Sequence, residues 1–374
     1  MTRLAIAAVG DPLAPDTWSG VPAGLARGLR AYGVESVPVD ATPPPALRVA
    51  GVAASAAVRR SRVDAWYTGG MHALRDAVGA RRLRAAGAVD AAVVCGAEFS
   101  LPGDVRQAIW ADLTVVQARR HHPVFARLSE GTFAAWRARQ DRAYRSAAGL
   151  AAASAWTARS MIDDHGADPE KVHVVGFGIN HAAPERRGGW DSPRFLFVGR
   201  EWERKNGPAV VRAFAAVREE HPDARLDLVG GHPPIEAPGV TGHGVLRLAD
   251  ERDAERARDL FARATCFVMP SECEPFGIAY AEAGAAGVPS IATAVGGPET
   301  ILGRDGGILV APGDDRALLD AMLRMAAGAT ARRMGEAARE RARLFTWEAV
   351  AGRMLRALAP PGVDLDTLPP RLEI

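Results

Sequence analysis

The chain has 374 residues, of which 48% are apolar and 24% charged, and its formal net charge is +2. This length is too great for one ordinary core and predicts two domains, and the small charge gives no reason to expect a nucleic acid partner. No run approaches the roughly eighteen apolar residues that a membrane-spanning helix needs.

The N-terminal residues 1–12 contain one Arg and a short apolar run, which indicates a first strand rather than a signal peptide. The three cysteines, Cys95, Cys266 and Cys273, have neither metal-site nor disulfide spacing. An odd number of cysteines without an export signal predicts reduced thiols in a cytoplasmic protein.

Apolar strands alternate with helices through the first half. Strands are predicted at 3–10, 34–40, 89–100, 106–112, 149–154 and 171–180, and helices at 21–33, 132–147 and 155–166. Residues 41–88 are the least interpretable part of the chain. Residues 183–193 are polar and rich in Gly and Pro, which is typical of a linker.

The second half repeats this alternation. Strands are predicted at 194–200, 225–231, 239–245, 266–271, 289–295 and 307–312, and helices at 207–220, 253–263, after Gly277, at 314–327 and at 331–343. Such alternation is typical of α/β folds with parallel sheets covered on both faces. We therefore predict two Rossmann-like domains, residues 1–183 and 190–345, that face a central cleft. Ligands of such sheets bind beyond the carboxyl ends of the strands.

Two cations follow the strand 194–199. Arg200 and Lys205 precede a predicted helix, where they could clamp a diphosphate together with the helix N-terminus. Lys205 is one of only two lysines in the chain, the other being Lys171. The alternative is a solvated charged turn, which the acidic residues of "EWER" favour.

Two carboxylates follow the strand 266–270. Glu274 and Glu282 are separated by seven residues, and the second precedes a small-residue stretch in which an unpaired carboxylate is costly. Pro275 suits the first turn of a helix, which would leave the amides of Phe276 and Gly277 as unpaired donors. Carboxylates and amides in this arrangement suit a polyhydroxyl ligand. The alternative is that Glu274 favours the helix dipole and Glu282 pairs with an Arg.

Glycine-containing turns follow two further strands. Gly296 and Gly297 form a flexible turn before a helix that starts near Pro298, which resembles a phosphate nest. Gly20 follows the first strand at a helix start, but its surroundings are not the GxGxxG fingerprint of dinucleotide sites.

Taken together, these features resemble retaining glycosyltransferase family 4, with the GT-B fold, over nearly the whole chain. The family's E-x7-E signature is matched by Glu274 and Glu282, its Arg and Lys by Arg200 and Lys205, and its first glycine loop by Gly20. "FTWEAVAGRML" (345–355) is similar to the segment that leads into the family's closing helix, so residues 346–374 are expected to pack back on the first domain.

The resemblance implies a role for each matched residue. Arg200 and Lys205 would bind the donor diphosphate and stabilise the leaving nucleotide. Glu274, with the amides of Phe276 and Gly277, would hold the donor sugar, and Glu282 would bind the ribose. Gly296 and Gly297 would lie near the phosphates or sugar, and the base would stack near residues 230–234 and 239–247.

The chain departs from the family where many members have a His that contacts the donor sugar. Asp112 occupies the approximate place here, and it contacts donor or acceptor or else caps the following helix through Thr114. His121 and His122 lie nearby in the sequence and are interpreted as surface residues.

No metal or other cofactor is expected. The D-x-D pair Asp364 and Asp366 lies in a tail far from any strand end, and cations with helix N-termini can stabilise a leaving diphosphate. The family implies retention of anomeric configuration by front-face attack, from a nucleotide sugar to an unknown acceptor. UDP-sugars are favoured as donors, with GDP-mannose as the competitor. The alternatives are an epimerase, a phosphorylase or a non-catalytic binding protein on this fold.

Arginines crowd part of the first domain among Ala and Val. They allow weak peripheral contact with anionic lipid at the inner membrane face, although a solvated helix face is the favoured explanation in a chain so rich in Arg. The residues are Arg59, Arg60, Arg62, Arg75, Arg81, Arg82 and Arg84.

Overall fold

The computed structural model describes residues 2–49, 53, 62–247 and 250–373. The chain divides into two compact units, one formed by residues 1–178 and 346–374 and the other by residues 179–345. The first unit ends five residues before the position 183 expected from the sequence. No helix in these described ranges is both long enough and apolar enough to cross a bilayer.

The first unit is built on a six-stranded parallel sheet with the order β2-β1-β3-β4-β5-β6. The strands are β1 Arg3–Ala8, β2 Glu35–Asp40, β3 Ala91–Cys95, β4 Gln107–Ala111, β5 Gly149–Ala152 and β6 Val172–Val174. Its helices are α1 Val21–Leu29, α2 Arg62–Trp66, α3 Gly69–Ala85, α4 Val115–His121, α5 Glu130–Ser146 and α6 Ala155–Asp163.

The second unit has a six-stranded parallel sheet with the order β12-β11-β10-β7-β8-β9. The strands are β7 Arg194–Gly199, β8 Arg225–Gly230, β9 Val240–Gly244, β10 Cys266–Met269, β11 Ser290–Thr293 and β12 Gly307–Val310. Its helices are α7 Gly207–Glu220, α8 Glu251–Arg263, α9 Ile278–Ala285, α10 Pro298–Leu302, α11 Asp315–Ala326 and α12 Gly328–Ala342. The predicted α/β class with two Rossmann-like sheets is confirmed.

In each sheet, the direction in which successive strands are added along the sheet reverses once, beside the first strand of the unit. In the first unit, the chain leaves β1 for β2 on one side and later returns to β3 on the other side. In the second unit, the corresponding neighbours are β7 and β10. Ligands of open α/β sheets bind beyond the carboxyl ends of the two strands that flank such a reversal. The loops after β1, β3, β7 and β10 are therefore the positions to examine.

Helix α13 (Trp347–Leu358) returns to the first unit and packs against α1. The Trp347 ring fills space that a side chain at two glycines would occupy. A Cβ atom at Gly24 would lie 2.0 Å from Trp347 Cε2, and one at Gly178 would lie 2.3 Å from Trp347 Cδ2. Glycine is therefore required at both positions for this helix to dock.

The segment 183–193 is not the linker that its composition predicts. It belongs to the second unit, where the Arg187 amide donates to the Ala262 carbonyl (2.8 Å). The Arg186 guanidinium donates to the Ala264 carbonyl (2.8 Å) and stacks 3.5 Å from the centre of the Trp190 ring. Polar and glycine-rich residues here satisfy hydrogen bonds at the end of α8 instead of providing a flexible connection.

Two further differences from the sequence-based assignment concern the first unit. The strand predicted at 89–100 ends at Cys95, because Gly96 takes a left-handed conformation (φ 82°) and the chain turns into a loop. Helix α3 lies in the region 41–88, which gave no interpretable pattern. Five Arg and Asp side chains along α3 interrupt its apolar face, so the helical period of apolar residues is weak in the sequence.

Candidate functional site

Three loops of the second unit come together beyond the carboxyl edge of its sheet. They follow β7, β10 and β11, and the first two flank the reversal of strand order. These loops contain seven of the residues singled out in the sequence: Arg200, Lys205, Glu274, Phe276, Gly277, Gly296 and Gly297. Glu282 lies in helix α9 behind them. Gly20 and Asp112 belong to the first unit.

Arg204 joins the loop after β7 to the loop after β10. Its Nη1 donates to the Cys273 carbonyl (2.9 Å), and its own carbonyl accepts from the Glu272 amide (2.9 Å). Its Nε and Nη2 donate to both carboxylate oxygens of Glu201 (2.7 and 2.9 Å), which raises the Arg204 pKa. Sequence reasoning missed this residue, because "EWER" suggested only a charged turn. The spacing of Glu201 and Arg204 by three residues was the available signal.

Lys205 and Glu274 form an ion pair between the same two loops. Their side chains are only 13% and 10% exposed, and the Ser271 hydroxyl also donates to Glu274 Oε2 (3.4 Å). The sequence did not predict this pairing. Removing one partner from such a pair leaves the other charge uncompensated, at a cost of about 3–5 kcal/mol. The ion pair uses one of the three N–H donors of the ammonium group, so Lys205 can still bind a ligand oxygen.

The loop after β11 packs directly on the backbone of Glu274. Glu274 and Gly296 form a parallel bridge, the Glu274 amide donates to the Val295 carbonyl (3.2 Å), and the Gly297 amide donates to the Glu274 carbonyl (2.9 Å). A Cβ atom at Gly296 would lie 1.9 Å from the Glu274 carbonyl oxygen, and one at Gly297 would lie 2.6 Å from Phe276 Cα. The sequence predicted a flexible turn, but the turn is close-packed. Glycine is required at both positions, because only a residue without a side chain lets the backbone of this turn approach the backbone of Glu274 and Phe276 so closely.

Helix α9 begins later than the sequence suggested. Its N-cap is Gly277 in a left-handed conformation (φ 88°), so Pro275 precedes the helix instead of occupying its first turn. A Cβ atom at Gly277 would lie 2.5 Å from the Tyr280 ring and 2.9 Å from Glu274 Cγ. The Gly277 amide therefore lies at the positive end of α9 and beside the Glu274 side chain. Phe276 is buried edge-on against Phe345 (5.8 Å between ring centres).

Glu282 lies in the second turn of α9 and is half-buried. Burial raises the pKa of its carboxyl group to about 7, and a hydrogen bond from the Asn180 amide opposes that rise. The alternative interpretation, in which Glu282 pairs with an Arg, is not supported, because no Arg among the described residues forms an ion pair with it. A carboxyl group with a pKa near 7 changes charge in the neutral range, and it accepts hydrogen bonds from hydroxyl groups most strongly when it is deprotonated.

Arg200 leaves the carboxyl end of β7 beside the loop after β8. The Gly231 amide donates to the Gly199 carbonyl (3.2 Å), which holds these two strand ends together. The Arg200 side chain is exposed, and within the described ranges no carboxylate forms an ion pair with it. It is therefore the accessible cation of this edge, whereas Lys205 is the enclosed one.

The segment predicted to lie near a base contains an imidazole of fixed orientation. The Gly244 amide donates to His232 Nε2 (3.2 Å), so the proton must be on Nδ1, which donates to the Pro233 carbonyl (2.8 Å). The ring also lies 6.0 Å from the Trp202 ring. This corner of the unit presents a rigid planar surface beside the β7 loop.

The first unit contains the remaining predicted residues. Gly20 is the N-cap of α1 with φ 75°, and the preceding Trp18 and Ser19 also have positive φ angles of 46° and 57°. Trp18 packs edge-on against Trp110 and Phe177, at 5.7 and 5.2 Å between ring centres. Three consecutive left-handed residues are strained, and such strain concentrates in functional loops.

Asp112 does not cap the helix after β4. Thr114 is the N-cap of α4 and forms a capping box with Gln117. The Asp112 carbonyl accepts from the Thr157 hydroxyl (2.5 Å), and its carboxylate is close enough to help raise the Tyr144 pKa. The capping interpretation is wrong for this residue, and a ligand contact remains a prediction.

His121 and His122, which were interpreted as surface residues, are partly exposed and also pack against aromatic rings. His121 packs edge-on against Trp156 (5.5 Å), and His122 packs against Phe125 (5.0 Å). Burial and Arg120 lower the His121 pKa. Both rings therefore have packing roles in this part of the first unit.

Two of the seven arginines are not free on the surface. Arg75 is fully buried, and Arg82 forms an ion pair with Asp40 (2.8 Å). Arg81 and Arg84 are exposed, while Arg59, Arg60 and the Arg62 side chain lie outside the described residues.

Within the described residues, no three His, Cys, Asp or Glu side chains are grouped so that they could hold a metal ion. In the D-x-D pair, the Asp364 carboxylate accepts from the Asp366 amide (3.0 Å) and caps a short turn in the first unit.

Comparison with known proteins gives a consistent family signal. Residues 192–327, which contain the whole three-loop site, match the family model described as Glycosyl transferases group 1. Two relatives, both named D-inositol 3-phosphate glycosyltransferase, are 33% identical over 231 residues in a Nocardioides species and 32% identical over 225 residues in Mycobacterium tuberculosis. These alignments cover 53% of this chain and 50% and 45% of the relatives. The chain thus spans about half the length of the curated relatives it matches.

Solved structures resemble the chain over nearly its full length. Sucrose-phosphate synthase from Thermosynechococcus elongatus has a TM-score of 0.69 at 21% identity, with 95% of this chain and 98% of that chain covered. WaaG, a glycosyltransferase involved in lipopolysaccharide biosynthesis, has a TM-score of 0.62 at 16% identity, with 97% and 100% covered. The predicted GT-B fold is confirmed by these likenesses.

Proposed function

We propose that the chain is a retaining glycosyltransferase that transfers a sugar from a nucleotide-sugar donor to a hydroxyl group of an acceptor. The observation that carries this proposal is the enclosed Lys205–Glu274 pair, which lies where the strand order reverses, with Arg200 exposed beside it. The match of this segment to a glycosyltransferase family model supports it. A UDP-sugar is the favoured donor, and GDP-mannose is the competitor.

In this proposal, Arg200 and Lys205 bind the donor diphosphate. Charge accumulates on the diphosphate as the glycosidic bond breaks, and cations held in place stabilise that charge without reorganisation. The ion pair with Glu274 keeps the Lys205 ammonium in position before the donor arrives. Positive charge of this kind removes the need for a metal ion.

Glu274 holds the donor sugar. Its carboxylate accepts from sugar hydroxyls, while the Gly277 amide at the start of α9 and the Phe276 amide beside it are the candidate donors to the sugar. Glu282, deeper in α9, accepts from the ribose hydroxyls. Gly296 and Gly297 act indirectly, since they allow the β11 loop to support the Glu274 backbone.

Transfer proceeds by attack on the face from which the nucleotide leaves. The acceptor hydroxyl loses its proton to a donor phosphate oxygen, the new glycosidic bond forms as the old one breaks, and the anomeric configuration is retained. Glu274 is assigned to sugar hydroxyls and not to the anomeric carbon, so no covalent enzyme intermediate is expected.

The test is acceptor-dependent release of the nucleotide. Purified protein is incubated with UDP-glucose, UDP-N-acetylglucosamine or GDP-mannose and a panel of hydroxyl acceptors, with D-inositol 3-phosphate included because two relatives carry its name. We expect nucleotide release with one donor only when an acceptor is present, and an anomeric proton coupling in the product equal to that of the donor. An inverted product would contradict the mechanism.

The same assay separates the alternatives. An epimerase would change the sugar nucleotide without any acceptor, and a phosphorylase would require inorganic phosphate. A non-catalytic binding protein would bind the donor and release nothing. Each outcome would replace the proposal by a different function on the same fold.

Donor affinity is expected to depend on pH through Glu282. With a pKa of about 7, the carboxyl group is only about one-tenth ionised at pH 6 and nine-tenths ionised at pH 8. Because the ionised form accepts from the ribose, we expect the affinity for a nucleotide sugar to rise about tenfold between these values. Glu282→Gln should bind more weakly at pH 8 and give a nearly flat profile in calorimetric titrations. A flat wild-type profile, or an unchanged slope in the variant, would contradict this role.

A further inference from the structure

Arg75 is an enclosed cation of the first unit for which the described part of the chain offers no hydrogen-bond acceptor. Its exposure is 0%, and all three guanidinium nitrogens are without an acceptor among the described residues. The guanidinium lies over the Trp66 ring, 4.8 Å from its centre. Burying a charged group without hydrogen bonds is strongly unfavourable, so such groups in proteins are normally paired or bind a ligand.

The carboxylate with the largest electrostatic effect on Arg75 does not supply these hydrogen bonds. Glu98 attracts Arg75 electrostatically, but its Oε1 accepts a hydrogen bond from the Tyr67 hydroxyl instead (3.4 Å). Burial also raises the pKa of Glu98, which reduces the negative charge available to Arg75. The guanidinium therefore keeps donors in a fork geometry that matches the two oxygens of a carboxylate or phosphate.

A second polar atom without a partner lies in the same cluster. His72 is 2% exposed, its Nδ1 donates to the Glu98 carbonyl (2.5 Å), and its Nε2 has no partner among the described residues. Burial lowers the His72 pKa to about 4, so the ring is neutral and Nε2 is an acceptor. A ligand hydroxyl would satisfy it. The tilted rings of His72 and Trp136 (6.1 Å) form one wall of the cluster.

The cluster lies where an α/β sheet binds ligands. Glu98 belongs to the loop that directly follows β3, and β3 is one of the two strands that flank the reversal of strand order in the first unit. The carboxyl edge of this sheet therefore contains a buried cation and a buried acceptor, in addition to the Gly20 loop after β1.

We propose that Arg75 binds the oxyanion of a small hydroxylated ligand, a phosphate or a carboxylate, with His72 Nε2 accepting from a hydroxyl of the same ligand. The identification of this ligand as the acceptor substrate rests on the proposed transferase function. The binding site itself does not. Because Arg75 is enclosed, entry requires neighbouring side chains such as Tyr67 to move.

The test is a binding measurement that avoids the donor site. Titrations and thermal shifts are recorded at constant ionic strength with inorganic phosphate, glucose 6-phosphate, glucuronate and neutral glucose. The parent protein carries both Arg200→Ala and Lys205→Ala, so that the two cations assigned to the diphosphate cannot contribute. We expect glucose 6-phosphate or glucuronate to bind saturably, and the better of the two identifies the oxyanion. Glucose should bind at least tenfold more weakly. The proposal would be overturned if none of the four probes bound saturably, or if glucose bound as well as the anions.

Arg75→Met is the decisive variant, and Arg353→Met is its matched control. Arg353 is also buried in the first unit (2% exposed), but its Nε donates to the Val175 carbonyl (2.9 Å). We expect Arg75→Met to weaken binding of the anionic probe at least tenfold, and Arg353→Met to lower the melting temperature while keeping binding. Equal binding by Arg75→Met and its parent would refute the site.

Glu98→Gln keeps the test decisive if Arg75→Met fails to fold. If Arg75 binds an anion, removing the competing carboxylate should strengthen anion binding. If Arg75 serves only to neutralise Glu98, the variant should leave anion binding unchanged, which would overturn the proposal. Arg75→Met with Arg200 and Lys205 intact should still bind the nucleotide sugar, so failure of this site is distinguishable from failure of the proposed transferase.

Discussion

Replacement of Lys205 by alanine is expected to lower kcat/KM for the nucleotide sugar by about 10²–10³-fold, comparable to the loss of one preorganised charge-stabilising group in other enzymes. Lys205 is the enclosed cation beside Glu274, and in the proposed mechanism it stabilises the departing diphosphate. Steady-state rates of nucleotide release measure the effect. The fall should appear in kcat as well as in kcat/KM, because charge on the leaving group is greatest in the transition state.

Lys171→Ala is the matched control, since Lys171 is the only other lysine of the chain. Its ammonium group donates to the Ala147 carbonyl (3.3 Å) in the first unit, and it belongs to none of the loops assigned to the donor. Activity should remain within about twofold of wild type, because Lys171 has no role in the proposed mechanism. Equal losses in the two variants would show that Lys205 has no specific role.

A double variant separates catalysis from stability. Lys205→Ala alone removes the paired cation of Glu274, a carboxylate that is only 10% exposed beside Lys205, so it should also lower the free energy of unfolding. Lys205→Ala with Glu274→Gln removes both charges and should recover most of that stability, measured by denaturant unfolding. Turnover should stay low. Recovery of turnover together with stability would mean that Lys205 acts only on the fold.

Replacement of Gly296 by alanine is expected to destabilise the second unit by about 3 kcal/mol or more and to abolish most activity, since the backbone itself must move. The new Cβ atom would lie 1.9 Å from the Glu274 carbonyl oxygen, and the residue has φ 113°. Relief of that contact displaces the Glu274 backbone and with it the ion pair to Lys205. Denaturant unfolding and nucleotide release measure the two effects.

Gly313→Ala isolates the conformational part of that effect. Gly313 also has a positive φ (76°), but no atom lies within 4 Å of the position of its Cβ. The substitution should therefore cost only about 1 kcal/mol of left-handed strain and leave donor binding intact. If Gly296→Ala were no more harmful than Gly313→Ala, the close packing of the β11 loop on Glu274 would not matter for the site.

The sequence predicted the location of the site because parallel strands impose it. Apolar strands with helices between them place the loops after 194–199 and 266–270 at one sheet edge, and Lys205 was notable as one of two lysines. The strand order then puts β7 beside β10, which brings these loops together. The alternation of strands and helices was therefore sufficient for the fold class and for placing these two loops at one edge of the sheet.

The side-chain contacts within the site could not be predicted from the alternation of strands and helices. Lys205 and Glu274 are 69 residues apart, and no local pattern indicates that their side chains meet. The requirement for glycine at position 296 is equally nonlocal, because a Cβ atom there would clash with the Glu274 carbonyl oxygen, which belongs to another loop. Arg75 lay in the uninterpreted region, where α3 alternates charged and apolar residues without a clear face. Each of these depends on tertiary packing that a single sequence does not specify.

The most direct test of the donor site is a thermal-shift screen of nucleotides and nucleotide sugars against wild type, Lys205→Ala and Lys171→Ala. A ligand that binds only the native state at about 100 times its Kd adds about 2.7 kcal/mol of stability, which is several degrees in the melting temperature. We predict such a rise with one nucleotide sugar for wild type and Lys171→Ala, and its loss in Lys205→Ala. The absence of any rise in wild type, or a rise of equal size in Lys205→Ala, would contradict the assignment of this edge of the second unit as a nucleotide-sugar site.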